Sequence, residues 1–401
     1  MRVLIVAAAA FVSLGGTAAV AQQPLTVVLT GQSMIRSDLR ATVPAAVPRI
    51  RALLQGDVVF THLEAAIAEN GQSVQQGRGF LTPPESLDAL QALGFNLLSL
   101  SGNHAFDLGA PGIRNTLQEL NRRGIAHAGT GANLADAVAP AYLHVANMTV
   151  ALIGSASGLI TPGGNATAER PGVNELRVNA AGRPNEATAD LPGAAANAPD
   201  PEDAARILSS IRTARQHADL VIVYQHNHVF GDKAFATLFN EGMPERLAPD
   251  PWLVKWTHAE VAAGADIVVL HGAPLLHGVE IFQGRPIFYD LGNFIYNLPA
   301  TLTYIDEPIA WESVVARVEF RGRTLQGITL LPIALNSIGE GQPDAHDPYA
   351  NNQFLQTRGL PSAATGAKAG YIIGRLARMS EPFGTRIELH ADVGRILLRP
   401  H

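Results

Sequence analysis

"LLSLSGNHAFDLG", residues 97–109, is the stretch on which the reading of the chain turns. Leu97, Leu98 and Leu100 flank Ser99 in an apolar run of the kind that forms a strand buried on both faces. The run breaks at Ser101-Gly102 and presents Asn103, His104 and, three residues on, Asp107. A strand that merely turns ends in glycine, asparagine, aspartate or serine. An amide, an imidazole and a carboxylate together exceed what a turn requires.

The same event recurs along the chain. "VVLT" runs into Gly31-Gln32, "DVVFT" into His62-Leu63-Glu64, "VIVYQ" into His226-Asn227-His228, and "IVVL" into His271. In α/β sheets, ligand sites gather at the carboxyl ends of strands. Each residue taken alone has a structural alternative. Glu64 could face the dipole of a helix that it opens, Asn103 could be a left-handed turn residue, and Asp107 could cap the next helix. His226, His228 or His271 could be a core histidine with its hydrogen bonds satisfied. Their shared placement at strand ends predicts a metal site instead. With no cysteine in the chain, disulfides, thiolate metal sites and a cysteine nucleophile are excluded, so the ligands must be nitrogen and oxygen.

Around these strands the pattern alternates with helices. Pro83-Pro84 opens and Gly94 closes a helix with Leu87, Leu90 and Leu93 on one side. Residues 112–124 form another, with Ile113, Leu117 and Leu120 on one face and a glycine stop. Further helices are predicted near 202–216, 252–263 and 365–379, and strands at 25–30, 56–64, 95–100, 148–154, 219–225 and 266–271. After 275 the pattern turns strand-rich, closing with "RIELH". Residues 156–203 are rich in Gly, Pro, Asn and Ala, too long for an ordinary connection, and read as a lid or a mobile insertion. The whole is an α/β chain with a mixed sheet, or two sheets packed face to face between helices.

The first residues carry Arg2, an apolar core and Ala19-Val20-Ala21, the pattern of a cleavable secretory leader over 1–21, with a single domain over 22–401. The apolar run is broken by Ser13, Gly15, Gly16 and Thr17 and is short for a membrane span, so the mature chain is expected to have no integral membrane segment and to be periplasmic or secreted. Across 401 residues, 47% are hydrophobic and 16% charged, enough for a substantial core. A net charge of −6 advertises no basic surface, and no nucleic-acid partner is expected.

The sequence resembles the CapA family of capsule or poly-γ-glutamate synthesis proteins, relatives of calcineurin-like metallophosphoesterases. The likeness runs from about 26 to 340. It is carried by "GFNLLSLSGNHAFDLGAPGIRNTLQELNRRGIAHAGTG" (94–131) and "GADIVVLHGAPLLHGVEIFQGRPIFYDLGNFIYN" (264–297). The resemblance implies a four-layer αββα sandwich of the metallo-dependent phosphatase type. It implies Glu64, Asn103, His226 and His271 as metal ligands and His104 as a proton-handling or substrate-contacting group. Two positions depart: Gln32 stands where the family has aspartate, and Pro274 where it has a second histidine, so Gln32 and His277 are the replacements on offer. His62 and His228 are further options for an adapted site, and Asp290 is a carboxylate near its mouth. A set of Glu, Asn and His favours Mn, Zn or Fe, as one ion or two. With His104 oriented by Asp107 as the acid, the implied function is an exported metal-dependent hydrolase acting on an anionic polymer, peptide or phosphoester. Arg36, Arg78, Arg170 and Arg285 are the candidates to bind its charge. The alternative is a non-catalytic metal- or polymer-binding accessory with partners in cell-envelope assembly.

Overall fold

The computed structural model describes residues 24–69, 80–179, 197–230, 248–300 and 307–398. The expected leader and Arg78 lie outside them, as does the 180–196 part of the Gly/Pro-rich stretch.

Two mixed β-sheets dominate the described residues. The larger has nine strands; the smaller has six. In the larger, Leu25–Leu29, Val58–His62, Leu97–Ser99 and Ala126–Ala128 run parallel. Its other half is antiparallel, built on the long hairpin Glu312–Arg321 and Thr324–Leu335, whose first strand pairs with Leu25–Leu29. In the smaller sheet Met148–Ser157, Leu220–Asn227, Ile267–His271 and Arg285–Phe288 run parallel, with Ala141–Val145 and Val279–Phe282 antiparallel at the edges.

Side chains alternate across a strand, and here the alternation sorts them between two apolar layers. Val58 and Phe60 share one cluster with Leu220, Ile222 and Tyr224 and with Ile267 and Val269 from the other sheet. The Phe60 and Tyr224 rings meet at 5.6 Å between centroids. Val59 and Leu98, on the opposite face of the large sheet, pack with Leu87, Leu90 and Leu93 of helix Glu85–Leu93 and with Leu120 of helix Gly109–Arg123. Val221, Val223 and Val268, on the opposite face of the small sheet, pack with Ile207, Ile211 and Ala214 of helix Pro201–His217 and with Trp252 and Trp256 of helix Pro251–Ala263. Each such apolar side chain contributes roughly 1.5–3 kcal/mol by leaving water.

The helices end as their sequences dictate. Gly94 and Gly124 take the left-handed conformation that closes Glu85–Leu93 and Gly109–Arg123 (φ 111° and 64°). Asp200 accepts from the backbone N–H groups of Glu202 and Asp203, both at 3.1 Å, to start the 201–217 helix. One expectation needs correction. "RIELH" is not the final strand, because Ala391 and Asp392 turn the chain through positive φ and Val393–Ile396 pairs back onto Ile387–His390. The described part of the 156–203 stretch is not structureless. Gly172–Val173 pairs with Thr130–Gly131, Val178–Asn179 pairs with Ala198–Pro199, and Val173 packs with Ala105 and Ile113.

Candidate metal centre

Period-two alternation delivers the site. Continuing the inward row Val58–Phe60 reaches His62; Leu220–Ile222–Tyr224 reaches His226; Ile267–Val269 reaches His271. All three histidines therefore stand at the carboxyl ends of parallel strands, at the edge of the layer between the sheets. His226 and His271 are direct neighbours in the strand register. The His62 ring lies 4.9 Å from that of His226 and 6.5 Å from that of His271, so the imidazoles of the two sheets converge.

Glu64 closes the group. Its Oε2 is 2.5 Å from His62 Nε2 and 3.4 Å from His226 Nδ1, and its Oε1 is 4.0 Å from His104 Nε2. His62, Glu64 and His226 offer ligand atoms all within 4.8 Å of one another, and all three are buried. On the far side of the His226 ring, Nε2 meets Asn103 Oδ1 at 2.9 Å and His228 Nε2 at 3.0 Å. Tyr224 stacks on His62 at 4.9 Å and places its hydroxyl 3.1 Å from His226 Nδ1. The Ser99 carbonyl holds His62 Nδ1 at 3.0 Å, leaving Nε2 to face the carboxylate.

The charge pattern suits a cation. Burial alone would push the Glu64 carboxyl up, but His226 and His62, with the His62 hydrogen bond, outweigh it and hold Glu64 below the usual carboxylate range. Burial pushes the His228 imidazole down to about 4 and that of His271 to about 3, and drives His226 well below its ordinary value. The result is one carboxylate near three imidazoles, those of His226, His228 and His271, that burial holds in the neutral form a metal requires of its ligands. Two further observations fit an ion. Neither ring nitrogen of His271 has a hydrogen-bond partner in good geometry, nor does the buried Gln32 Oε1. And Gly102 leaves space that no other residue would: a Cβ there would lie 2.7 Å from His62 Nε2 and 3.2 Å from Glu64 Oε2.

His104 stands beside this group. Its Nδ1 pairs with Asp107 Oδ2 at 2.7 Å, and Asp107 Oδ2 also accepts the Phe80 N–H at 2.8 Å. Burial pulls the His104 imidazole down, but the Asp107 hydrogen bond and the Glu64 charge together raise it above its ordinary value.

Several structural alternatives fall here. Asp107 caps no helix: the helix starts at Gly109 after Leu108, while the Asp107 side chain serves His104. Asn103 is not among the residues with positive φ. Glu64 opens no helix, since the next element is the short strand Ala66–Ile67. His277 lines a cleft next to the group, together with His271, Asn227, Tyr289 and Asp290. Gln32 pairs in register with Asn293 beside it. His62, which the sequence offers only as an option for an adapted site, is the central imidazole. Its phase with Val58 and Phe60 was the available signal. Tyr224 and Gly102 were not singled out at all.

The chain matches the family model described as "Bacterial capsule synthesis protein PGA_cap" over residues 26–298, and it belongs to that family. It is 30% identical to an uncharacterized protein, y4sH, of Sinorhizobium fredii, over 96% of this chain and 95% of that protein. It is also similar to the PGA biosynthesis protein CapA of Bacillus subtilis, 27% identical over 55% of this chain and 48% of the relative. The capsule biosynthesis protein CapA of Bacillus anthracis is 26% identical, over 69% of this chain and 56% of the relative.

Proposed function

We propose that this chain is an exported capsule-synthesis protein of the CapA type, built as an αββα sandwich, that uses a divalent ion to act on an anionic glutamyl polymer, peptide or phosphoester. The observation that carries the reading is the buried convergence of His62, Glu64 and His226, from strand ends of two sheets, with Asn103 and His271 alongside. Membership of the capsule-synthesis family and the names of the CapA relatives support the substrate class.

His62, Glu64 and His226 would hold the ion, with Asn103, His271 and Gln32 as further donors and His277 at the neighbouring cleft. A borderline divalent cation such as Mn, Zn or Fe suits this donor set and, when bound, supplies Lewis-acid polarisation of a carbonyl or phosphoryl oxygen. Asp107 accepts the proton on His104 Nδ1 and so leaves Nε2 as the atom that holds or delivers a proton to a leaving group. The Ser99 carbonyl and Glu64 fix the His62 ring between them. The buried walls around His226 and His271 exclude water from that side.

Elemental analysis of folded protein, wild type beside His226→Ala, tests the reading. Near-stoichiometric Mn, Zn or Fe in the wild type and its loss in the variant are expected. No bound transition metal after metal-replete expression would sink it. One observation favours a second reading, a metal- or polymer-binding accessory without turnover: Gln32 and Pro274 remove two charged or imidazole donors from the family pattern. Assays on γ-glutamyl and phosphodiester substrates decide between the two, and turnover lost in His104→Ala supports the enzyme.

A further inference from the structure

Of the arginines that could meet an anionic substrate, Arg36 is set apart by its surroundings. Arg170 Nη2 bonds the Asn165 carbonyl at 3.0 Å within its own loop, and Arg285 pairs with Asp266 at 3.0 Å. Arg36 is only 5% exposed, yet among the described residues no carboxylate lies within ion-pair distance of its guanidinium. The group is instead clamped between two rings, with Cζ 4.7 Å from the Phe80 centroid and 4.9 Å from that of Tyr349. Asn297 fixes its orientation: the Arg36 backbone N–H donates to Asn297 Oδ1 at 3.2 Å, and Nε donates to the Asn297 carbonyl at 3.1 Å. Nη2 is buried and has no hydrogen-bond partner.

Asp107 favours the Arg36 charge from beyond ion-pair distance without offsetting its burial, and a buried cation with no contacting counter-ion costs more than stacking on two rings returns. A side chain held in that condition, oriented at one end and unfilled at the other, is a receptor for a planar or tetrahedral oxyanion, which a guanidinium fork matches with two parallel hydrogen bonds. Its position gives that receptor a purpose. The Phe80 ring that covers Arg36 also meets the His104 ring edge-on at 4.5 Å, and the Phe80 N–H is bonded to Asp107. An anion on the fork therefore lies one aromatic ring away from the His104–Asp107 pair.

We propose that Arg36, held between the Phe80 and Tyr349 rings, is the oxyanion-recognition residue of this site, binding a carboxylate or phosphoryl group of the substrate one aromatic ring away from His104. The proposal rests on the reading of the His62–Glu64–His226 group as the reacting centre, but its test reads binding rather than turnover. Full-length wild type, Arg36→Gln and Arg36→Lys are titrated calorimetrically with a short γ-linked glutamate oligomer and, separately, with inorganic phosphate. Metal content is measured on the same samples.

The expected result is wild-type binding of at least one probe, at least tenfold weaker binding in Arg36→Gln, an intermediate value in Arg36→Lys, and unchanged metal content. The probe that binds identifies the source of the oxyanion. Equal binding by wild type and Arg36→Gln, or binding of neither probe by the wild type, overturns the proposal. If Arg36→Gln does not fold, the Arg36 Nε–Hε resonance of the wild type, assigned through Arg36→Lys, must shift on adding the probe; an unmoved resonance overturns it. Metal retained with anion binding intact removes Arg36 alone. Metal absent with anion binding weakened in Arg36→Gln removes the metal centre and keeps Arg36.

Discussion

Strand Ile267–His271 carries a site residue at one end and a structural residue at the other, and the two ends treat a buried carboxylate in opposite ways. At its entry, fully buried Asp266 is surrounded by arginines: Arg215 at 2.5 Å, Arg285 at 3.0 Å and Arg323 at 3.4 Å, with the Val221 N–H at 2.9 Å. Beyond its exit, beside His271, equally buried Glu64 is served by imidazoles. Arginine is permanently charged and forms a lock that nothing displaces. Imidazoles such as those of His226 and His271, driven toward the neutral form by burial, leave their lone pairs free to share a cation with the carboxylate. A third buried carboxylate, Glu260, has neither kind of partner. Burial pushes it up to about 8, the Trp256 indole pulling the other way.

The comparison breaks most readily at Asp266. Asp266→Ala leaves three guanidinium groups against one another and is expected to cost about 3–5 kcal/mol in urea unfolding, with metal content per folded molecule unchanged. Glu260 gives the next effect, through pH. Its folded value near 8 lies above the usual 4.5 of the unfolded chain, so the folded state holds the extra proton between them. Stability from this group is full below pH 4.5 and is lost as pH rises through 8, by roughly 3–4 kcal/mol between pH 5 and 8. Glu260→Gln should flatten that slope in unfolding measured from pH 5 to 8; an unaltered slope would show that the carboxyl is ionised in the folded state. Gly102→Ala should cost about 1–3 kcal/mol, since its methyl meets His62 and Glu64, and should lower bound metal more than tenfold by elemental analysis. Glu64→Gln is expected to destabilise metal-free protein less than Asp266→Ala, since the neutral amide can still bond His62 and leaves no cluster of permanent cations behind, while abolishing metal retention. If it destabilises as much as Asp266→Ala, the two carboxylates are the same kind of lock and the distinction fails.

Much of this was legible locally. The buried strands, the glycine-closed helices and the strand ends Glu64, Asn103, His226 and His271 follow from apolar periodicity and turn chemistry within short windows. Three things were not. The pairing of Asp107 with His104 follows from their spacing, but its second bond, to the N–H of Phe80 27 residues away, does not, and so a helix cap stayed open beside it. His62 takes its importance from the other sheet, through Tyr224 and His226, and face-to-face packing of sheets leaves no local trace. The need for glycine at 102 is steric and arises from side chains 38 and 40 residues earlier (102 − 64 and 102 − 62), so "SG" read as an ordinary break. The hairpin Ile387–Ile396 was shortened for a simpler reason: the turn at Ala391-Asp392 lacks the glycine or asparagine that usually marks such a reversal.

The convergence of His62, Glu64 and His226 also sets a schedule. Glu64 and His226 are 162 positions apart (226 − 64), on elements from different sheets, so no chelating group exists in a partly made chain or before the sheets dock. On the proposed reading, this ligand set is complete only once the sheets have docked, and an ion would be taken from whatever solution surrounds the chain at that moment. Sites of this donor type rank the first-row divalents by affinity alone, with copper and zinc ahead of manganese. On that reading, the place where the polypeptide finishes folding, rather than the ligands by themselves, would decide which metal it takes.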